Sequence, residues 1–147
     1  MRTVIYGGMV IMIKTVISNY CICQYDTNNP NVVTVVGPSL KEGRSINVII
    51  PQRVDGHYIT HIAPYAFIGV KNLVSSINLP QSIKSIGKWA FAFSNVTEII
   101  LRPDSNCNID KYAFYGSTLS STENFDTNTG NVSGKAFLNS HIESLPY

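Results

Sequence analysis

The histidines are the side chains of this sequence best suited to hold a metal ion or to move a proton. His57 and His61 are four residues apart, a spacing that would place both on one face of a helix. Their neighbours indicate turns and short strands instead, and no group of Asp or Glu accompanies them; His141 lies far away. We therefore expect no metal site. A Ser–His–Asp or Cys–His arrangement stays open, because geometry rather than sequence order defines such sites.

The three cysteines offer thiols for metal binding or disulfides. Cys21 and Cys23 are two residues apart in an apolar run, so a strand there would point both to the same face. A zinc site needs four ligands, usually from two separate clusters, and Cys107 is isolated. We expect three free thiols.

Carboxylates could supply the acid and base of a glycosidase, which needs a pair flanking the scissile bond. Glu98, Asp104, Asp110 and Glu123 are the candidates, and they are scattered singly at positions typical of solvated side chains. The sequence contains neither a nucleophile elbow nor a glycine-rich phosphate loop. We expect no catalytic residues and no cofactor, and keep a carbohydrate-active β-solenoid enzyme as an alternative.

The composition limits which elements can carry these groups. The chain has 147 residues, of which 44% are hydrophobic and only 14% charged, with a net charge of +2. The length predicts one domain, or one domain with a small appendage, and the composition argues against disorder, coiled coils and long surface helices. Since the charge forms no basic stripe, we expect no nucleic-acid partner.

The first 44 residues lack the pattern found in the rest of the chain. Residues 15–25 and 32–36 read as strands joined by the polar segment 26–31, which predicts a β-hairpin cap. Residues 4–17 resemble a signal peptide faintly, but Gly7-Gly8 and Lys14 interrupt them, no cleavage site follows, and they are too short to span a membrane. We expect no cleaved signal. A sharper interpretation makes residues 1–13 an arm that adds a strand to another chain.

An internal repeat occupies the remaining two thirds. The dipeptide Ala-Phe recurs with its phenylalanines 24, 23 and 23 residues apart, and a β-branched residue stands four positions before each alanine. Upstream of the alanines, short apolar runs end near a proline, which predicts short strands. The repeated residues are Ile62, Ala66 and Phe67; Ile86, Ala90 and Phe91; Ile109, Ala113 and Phe114; and Val132, Ala136 and Phe137.

A unit of about 23 residues cannot bury its own apolar face, whereas stacked copies can. The repeated pattern predicts that each phenylalanine fills the interior opposite a strand, while the small alanine lets adjacent coils approach closely. Strands of successive units would then form a parallel sheet.

The repeat resembles the BspA-type leucine-rich repeat. The best matching stretch runs from Val74 through Ile77, Leu79 and Pro80 to Ala90-Phe91. The resemblance covers residues 45–147, as about four repeats and a terminal strand at residues 142–147. It implies a right-handed β-rich solenoid with a parallel sheet on one side and short helical or 3-10 turns on the other. It also implies an extracellular or virion-associated binding module.

Three units depart from the pattern. Residues 53–58 are an excess in the first unit, which predicts a protruding turn around Asp55-Gly56. Arg102 separates Leu101 from Pro103 in the third unit, which predicts a bulge or a register slip. The fourth unit has Thr122 where an apolar residue belongs, so Phe125 would have to shift the register to fill the core.

Outward positions of the predicted strands are the candidate partner-binding residues. Alternation along the strands selects Asn47, Ile49, Ser76, Asn78, Glu98 and Ile100. Four or five coils give a sheet only roughly 20 Å wide, which suits a protein edge rather than an extended ligand.

These observations favour a non-catalytic interaction or adhesion module. We expect a structural subunit of a larger assembly, such as a phage fibre, tail or capsid accessory protein, with protein partners and a homo-oligomer as one form. The expected location is a virion or another extracellular surface, with the cytoplasm as the alternative. A free-standing cell-surface adhesin and a soluble effector remain alternatives for the function.

Overall fold

The computed structural model describes residues 1–39, 49–71, 76–123 and 129–142. Within these ranges the chain forms thirteen β-strands and no helix. The strands build an eight-stranded sheet in the order β1-β2-β3-β4-β7-β9-β11-β13, a three-stranded sheet β12-β10-β8 and a pair β5-β6. Their bounds are β1 Arg2–Tyr6, β2 Met9–Ser18, β3 Cys21–Asp26, β4 Asn29–Pro38, β5 Arg53–Val54, β6 His57–Tyr58, β7 His61–Ile62, β8 Ser76–Asn78, β9 Ser85–Ile86, β10 Glu98–Ile100, β11 Cys107–Ile109, β12 Ser121–Glu123 and β13 Thr129–Val132.

The N-terminal region is an antiparallel meander of the first four strands. Two-residue turns connect β1 to β2 at Gly7-Gly8 and β2 to β3 at Asn19-Tyr20, and all four residues have positive φ. Such turns match the twist of the strands that they join. One face of β3 and β4 is buried and lines the core, through Cys21, Cys23, Tyr25, Val33 and Val35.

The predicted hairpin differs from this meander in two places. Residues 15–25 are not one strand, because the chain reverses at Asn19-Tyr20. The predicted loop 26–31 shortens to Thr27-Asn28, since Asp26 pairs with Asn29 and both strands extend toward the turn. Residues 1–13 form β1 and half of β2 and pair with one another within the chain.

The meander and the repeats share one sheet. Strand β4 pairs in parallel with β7, the first strand that the repeat region adds to this sheet, through Thr34 opposite His61 and Val35 opposite Ile62. The sheet then continues through β9, β11 and β13. The expected boundary at residues 44 and 45 lies outside the described residues.

The repeats contribute strands to two rows, only one of which the sequence analysis anticipated; among the described residues, the first repeat contributes to the second row alone. The predicted row forms the parallel sheet β8-β10-β12. The second row holds the β-branched residues four positions before each alanine, and of these Ile62, Ile86 and Ile109 are buried. These strands have only two to four residues, which is too short for a polar–apolar alternation to be recognised in the sequence.

The four repeated phenylalanines form a ladder in the core, as predicted. Phe67, Phe91 and Phe114 are fully buried and Phe137 nearly so. Their rings are almost parallel, with centroids 5.0, 5.3 and 5.2 Å apart along the stack. Because the buried alanines are small, the backbones of adjacent coils lie close together, and the amide of Phe91 donates a hydrogen bond to the carbonyl of Ala113 at 2.7 Å.

The segments that carry Ala-Phe are turns, and the expected short helical or 3-10 turns are not found among the described residues. The residue before each of the first three alanines has a left-handed backbone, with φ near +60° at Tyr65, Trp89 and Tyr112. A right-handed helix cannot continue through that conformation. Packing against the neighbouring coils therefore determines the backbone conformation of these three residues.

The departures of the repeat have separate outcomes. The excess in the first unit forms the β5–β6 hairpin around Asp55-Gly56, as predicted. No bulge occurs beside Arg102, since β10 pairs regularly with both neighbours; the register shift instead lies between β11 and β13. Strand β12 keeps the regular register, with Thr122 opposite Ile99. Phe125 and most of the expected terminal strand lie outside the described residues.

Candidate protein-binding face

The outward surface of the three-stranded sheet β8-β10-β12 is the candidate site, here called the sheet face. In the middle row, Ile77 and Ile99 are buried and point to the core. Because side chains alternate along a strand, the residues on either side of these two isoleucines point outward. Ser76 lies opposite Glu98 in one outward row, and Asn78 lies opposite Ile100 in the other. Four of the six residues selected from the sequence thus lie side by side on one surface.

A fixed carboxylate lies at the centre of this surface. Ser76 Oγ donates a hydrogen bond to Glu98 Oε2 at 2.9 Å, and Ser121 Oγ donates to Glu98 Oε1 at 3.4 Å. The serines belong to the coils on either side of Glu98. Hydroxyl groups from both neighbours therefore hold the negative charge in one orientation, which reduces the side-chain entropy that a partner must remove on binding.

A cleft of about 470 Å³ adjoins the ends of these strands. Ile49 and Asn78 line it together with Arg102, Gln52 and Gln81. The Ile49 side chain is 53% exposed, so the cleft combines an apolar contact with amide groups and one cation. This mixture can contact apolar side chains, peptide groups and a carboxylate of a protein surface.

Sequence reasoning found part of this site. Asn47 lies outside the described residues, whereas Ile49 lies at the cleft rather than in a strand of the sheet. Ser121 and Arg102 were missed. The polar outward position of Ser121 in the fourth unit matches Ser76 and Glu98 in the preceding units, and this equivalence was the available signal.

Comparisons with known proteins identify the family and the fold. A family model for the BspA type leucine rich repeat region (6 copies) matches residues 45–147. The chain belongs to the BspA-type leucine-rich repeat family. Membership indicates a module for protein interaction or adhesion, and proteins of this family are typically non-catalytic. No curated protein matches the sequence.

Two solved leucine-rich repeat structures are similar to this repeat protein. The T. pallidum leucine-rich repeat protein TpLRR superimposes with a TM-score of 0.55 at 19% identity, over 88% of this chain and 66% of its own. This chain thus spans slightly less than two thirds of that protein. A leucine-rich repeat protein from Bacteroides capillosus ATCC 29799 gives a TM-score of 0.46 at 18% identity, over 82% of this chain and 99% of its own. At these identities the likeness concerns the fold alone.

The histidines of this leucine-rich repeat protein serve other contacts. His57 lies in the β5–β6 hairpin, with its ring centroid 5.1 Å from that of Tyr25. His61 lies in the eight-stranded sheet, where its Nδ1 is 2.7 Å from Thr60 Oγ1 and burial lowers its pKa. The two residues are thus in different sheets, so the four-residue spacing does not place them on one face.

The protruding hairpin joins the repeats to the N-terminal strands. Tyr25 Oη donates to Asp55 Oδ2 at 2.9 Å, and Lys14 Nζ lies 2.6 Å from the same oxygen. The hydrogen bond from Lys14, followed by that from Tyr25, lowers the pKa of the Asp55 carboxyl. The hydrogen bond to Asp55 also raises the pKa of Lys14. We call this group the Asp55 clasp, and nothing in the sequence pattern marked it.

The three cysteines are free and buried. Cys21 and Cys23 point to the same face of β3, as predicted, and that face is the core. Burial raises the pKa of Cys21 and Cys107 to about 12 and that of Cys23 to about 11. Since the thiolate is the nucleophile, these thiols are poorly suited to a Cys–His site.

Two of the four candidate carboxylates, Glu98 and Asp110, lie at different sheets. Glu98 lies in the three-stranded sheet, while Asp110 follows β11 of the eight-stranded sheet and accepts a hydrogen bond from the amide of Lys111. Within the described ranges, His, Cys, Asp and Glu form no group of three that could bind a metal ion. No helix that could cross a membrane occurs there either.

Proposed function

We propose that this chain is a non-catalytic protein-interaction module that serves as a structural subunit of a larger assembly. A phage fibre, tail or capsid accessory protein is the assembly that we favour. The sheet face carries this proposal, because Ser76 and Ser121 hold the Glu98 carboxylate on the same outward surface as Asn78 and Ile100.

The size and chemistry of the sheet face suit a protein epitope. Three neighbouring strands about 4.8 Å apart span roughly 10 Å, which is too little for an extended polymer. Ile49 and Ile100 supply apolar contacts, Glu98 accepts hydrogen bonds from a basic or amide side chain, and Arg102 pairs with a carboxylate. Specific interfaces combine such contacts.

The N-terminal hairpin of β1 and β2 supports assembly rather than a solitary protein. Its side chains Ile5, Tyr6, Met9 and Val10 are each more than half exposed. Large exposed apolar patches on proteins mark interaction sites. Residues 1–13 therefore supply a second contact region, open to other chains or to further copies of this one.

The proposed location is a virion or another extracellular surface assembly, reached without cleavage of a signal peptide. Residues 4–17 lie in the paired strands β1 and β2, so cleavage within this segment would remove the first strands of the eight-stranded sheet. The alternatives are a free-standing surface adhesin and a soluble effector, the second of which also suits the cytoplasm.

A carbohydrate-active enzyme is the weaker candidate function. Two carboxylates of a glycosidase lie about 5–10 Å apart on either side of the bond that they cleave. Glu98 accepts hydrogen bonds from two serines, and Asp110 belongs to the other sheet. Incubation with a panel of polysaccharides should release no reducing sugar, and turnover that disappears in Glu98→Gln would support the enzyme instead.

Photo-crosslinking tests the sheet face as a binding surface. A benzophenone amino acid replaces Ile100 on the sheet face in one variant and Asn131, an exposed residue of β13, in the control. Each full-length variant is incubated with the disassembled proteins of the particle that carries the chain, and the adducts are identified by mass spectrometry.

We expect one defined adduct from position 100 that an excess of unlabelled wild-type chain prevents. Equal adducts from positions 100 and 131, or none from position 100, would contradict a specific role of the sheet face.

A further inference from the structure

Strand β1 forms one edge of the eight-stranded sheet, with β2 on one side. The backbone of Met12, the β2 residue opposite Thr3, is engaged on the β3 side: its amide donates to Asp26 Oδ1 at 3.2 Å, and its carbonyl accepts from Thr27 at 2.9 Å. Thr3 therefore directs its own N–H and C=O away from β2, and alternation makes Ile5 do the same. No strand among the described residues pairs with that side of β1.

This edge lacks the features by which proteins protect open strands. Natural edges carry lysines, prolines or bulges. Strand β1 has no proline, its pairing with β2 is regular over five residues, and Arg2 is its one charged side chain. An unprotected apolar edge favours addition of another strand.

Apolar side chains cover both faces of the hairpin. The pairing places Val4 and Ile11 on one face, and Ile5 and Val10 on the other. The smallest specific interfaces bury about 600 Å² per partner, which needs several exposed large side chains. The hairpin region offers five: Met1 is 79% exposed, Ile5 74%, Tyr6 76%, Met9 64% and Val10 55%.

We propose that β1 pairs in antiparallel fashion with β1 of a second copy, about a two-fold axis at Val4, and joins two eight-stranded sheets into one. This inference rests on the proposed function, because it names the partner of residues 1–13.

The strand is complementary to itself in this register. Thr3 lies opposite Ile5 of the second copy and Ile5 opposite its Thr3, so the two outward-directed residues of each strand form four backbone hydrogen bonds. Arg2 lies opposite the Tyr6 ring of the other copy, where the guanidinium can pack over the ring instead of repelling a second Arg2.

Side chains also match across the proposed axis. Val4 faces Val4 of the second copy, and each Val4 has Ile11 on its other side. Four β-branched side chains therefore form one continuous row, a favourable arrangement in antiparallel sheets. Moving the axis to Thr3 or to Ile5 would leave one outward-directed residue of each strand opposite a residue outside β1.

Engineered disulfides test the register. Directly opposed residues of a non-hydrogen-bonded pair have Cα atoms about 4.5 Å apart, within the range for a disulfide. Val4→Cys should therefore give a disulfide-linked dimer on a non-reducing gel. Ile5→Cys is the matched control. The two copies of residue 5 are offset along the strands by two residues, so their Cα atoms lie beyond the limit of about 7 Å for a disulfide. The three native cysteines are buried and do not compete.

Light scattering of the full-length chain tests the dimer itself. We expect the mass of two chains for the wild type and half that mass for Ile5→Lys, which places a charge at the edge. Thr3→Lys serves as a second edge variant, and Leu138→Lys, at an exposed residue of the fourth repeat, should remain a dimer. Circular dichroism verifies that each variant is folded.

A wild-type monomer throughout the concentration range, or equal crosslinking of Val4→Cys and Ile5→Cys, would overturn the inference. The proposed function would survive that result if position 100 still gave its specific adduct. Loss of that adduct with an intact dimer would overturn the proposed role of the sheet face and leave the pairing of β1 in place.

Discussion

Replacing Phe91 with alanine tests whether the repeats share one packed interior. The ring is fully buried and lies between two others, 5.0 Å from Phe67 and 5.3 Å from Phe114. Truncation of a buried phenylalanine to alanine costs about 3–5 kcal/mol, and each aromatic pair accounts for about 0.5–1.5 kcal/mol. With two pairs lost, we expect a cost of about 4–5 kcal/mol, a large part of the roughly 5–15 kcal/mol available to a small domain.

Phe137 provides the internal comparison, since its ring is 9% exposed and stacks on Phe114. Phe137→Ala should cost about 3 kcal/mol, at the lower end of that range. Phe93, two residues from Phe91 but 44% exposed, is the matched control, and its truncation should cost less than about 1.5 kcal/mol. Urea unfolding followed by both circular dichroism and tryptophan fluorescence measures the three values. Equal costs for Phe91→Ala and Phe93→Ala would refute the shared interior.

Three further predictions concern close contacts, charge and thiols. Gly87→Ala should lower the free energy of unfolding by about 1–3 kcal/mol, because the added Cβ would lie 2.5 Å from Pro64 N. The control Gly134→Ala, where the added Cβ meets open space, should change the free energy of unfolding by less than about 0.5 kcal/mol. Urea titrations measure both values. The folded-state pKa of Asp55 is below its usual value of 3.8, so its stabilisation is complete above that value and is lost as the pH falls through the folded pKa. Melting temperatures of wild type and Asp55→Asn should therefore differ at pH 6 and approach each other as the pH falls below 3.8; a constant difference down to acid pH would contradict the clasp. The buried thiols, with pKa values of about 11–12, should react with Ellman's reagent only after unfolding, and rapid labelling of the native protein would contradict their burial.

The sequence predicted the repeat architecture because its signal recurs. The spacing of Ala-Phe identified the stacked coils and the buried phenylalanines, and alternation around Ile77 and Ile99 selected the outward residues of the sheet face. Asp55-Gly56 predicted the turn of the β5–β6 hairpin, since these residues tolerate the positive φ found there. Local chemistry and periodicity sufficed for these elements.

Other elements depend on contacts distant in sequence. The second row of strands consists of segments such as His61–Ile62, too short to show a period, and their pairing exists only because neighbouring coils align them. The left-handed backbone at Trp89 is unfavourable for a bulky residue, so stacking imposes it. The Asp55 clasp joins groups 30 or more residues apart, and pattern analysis offered no means of pairing them.

Nuclear Overhauser contacts between the phenylalanine rings test the central claim most directly, namely that successive coils stack around one aromatic ladder. With ring centroids 5.0–5.3 Å apart, we expect contacts from Phe67 to Phe91, from Phe91 to Phe114 and from Phe114 to Phe137. A soluble paramagnetic agent should leave these signals sharp. Rings without mutual contacts, broadened by that agent, would contradict the stacked coils and with them the sheet face that the coils form.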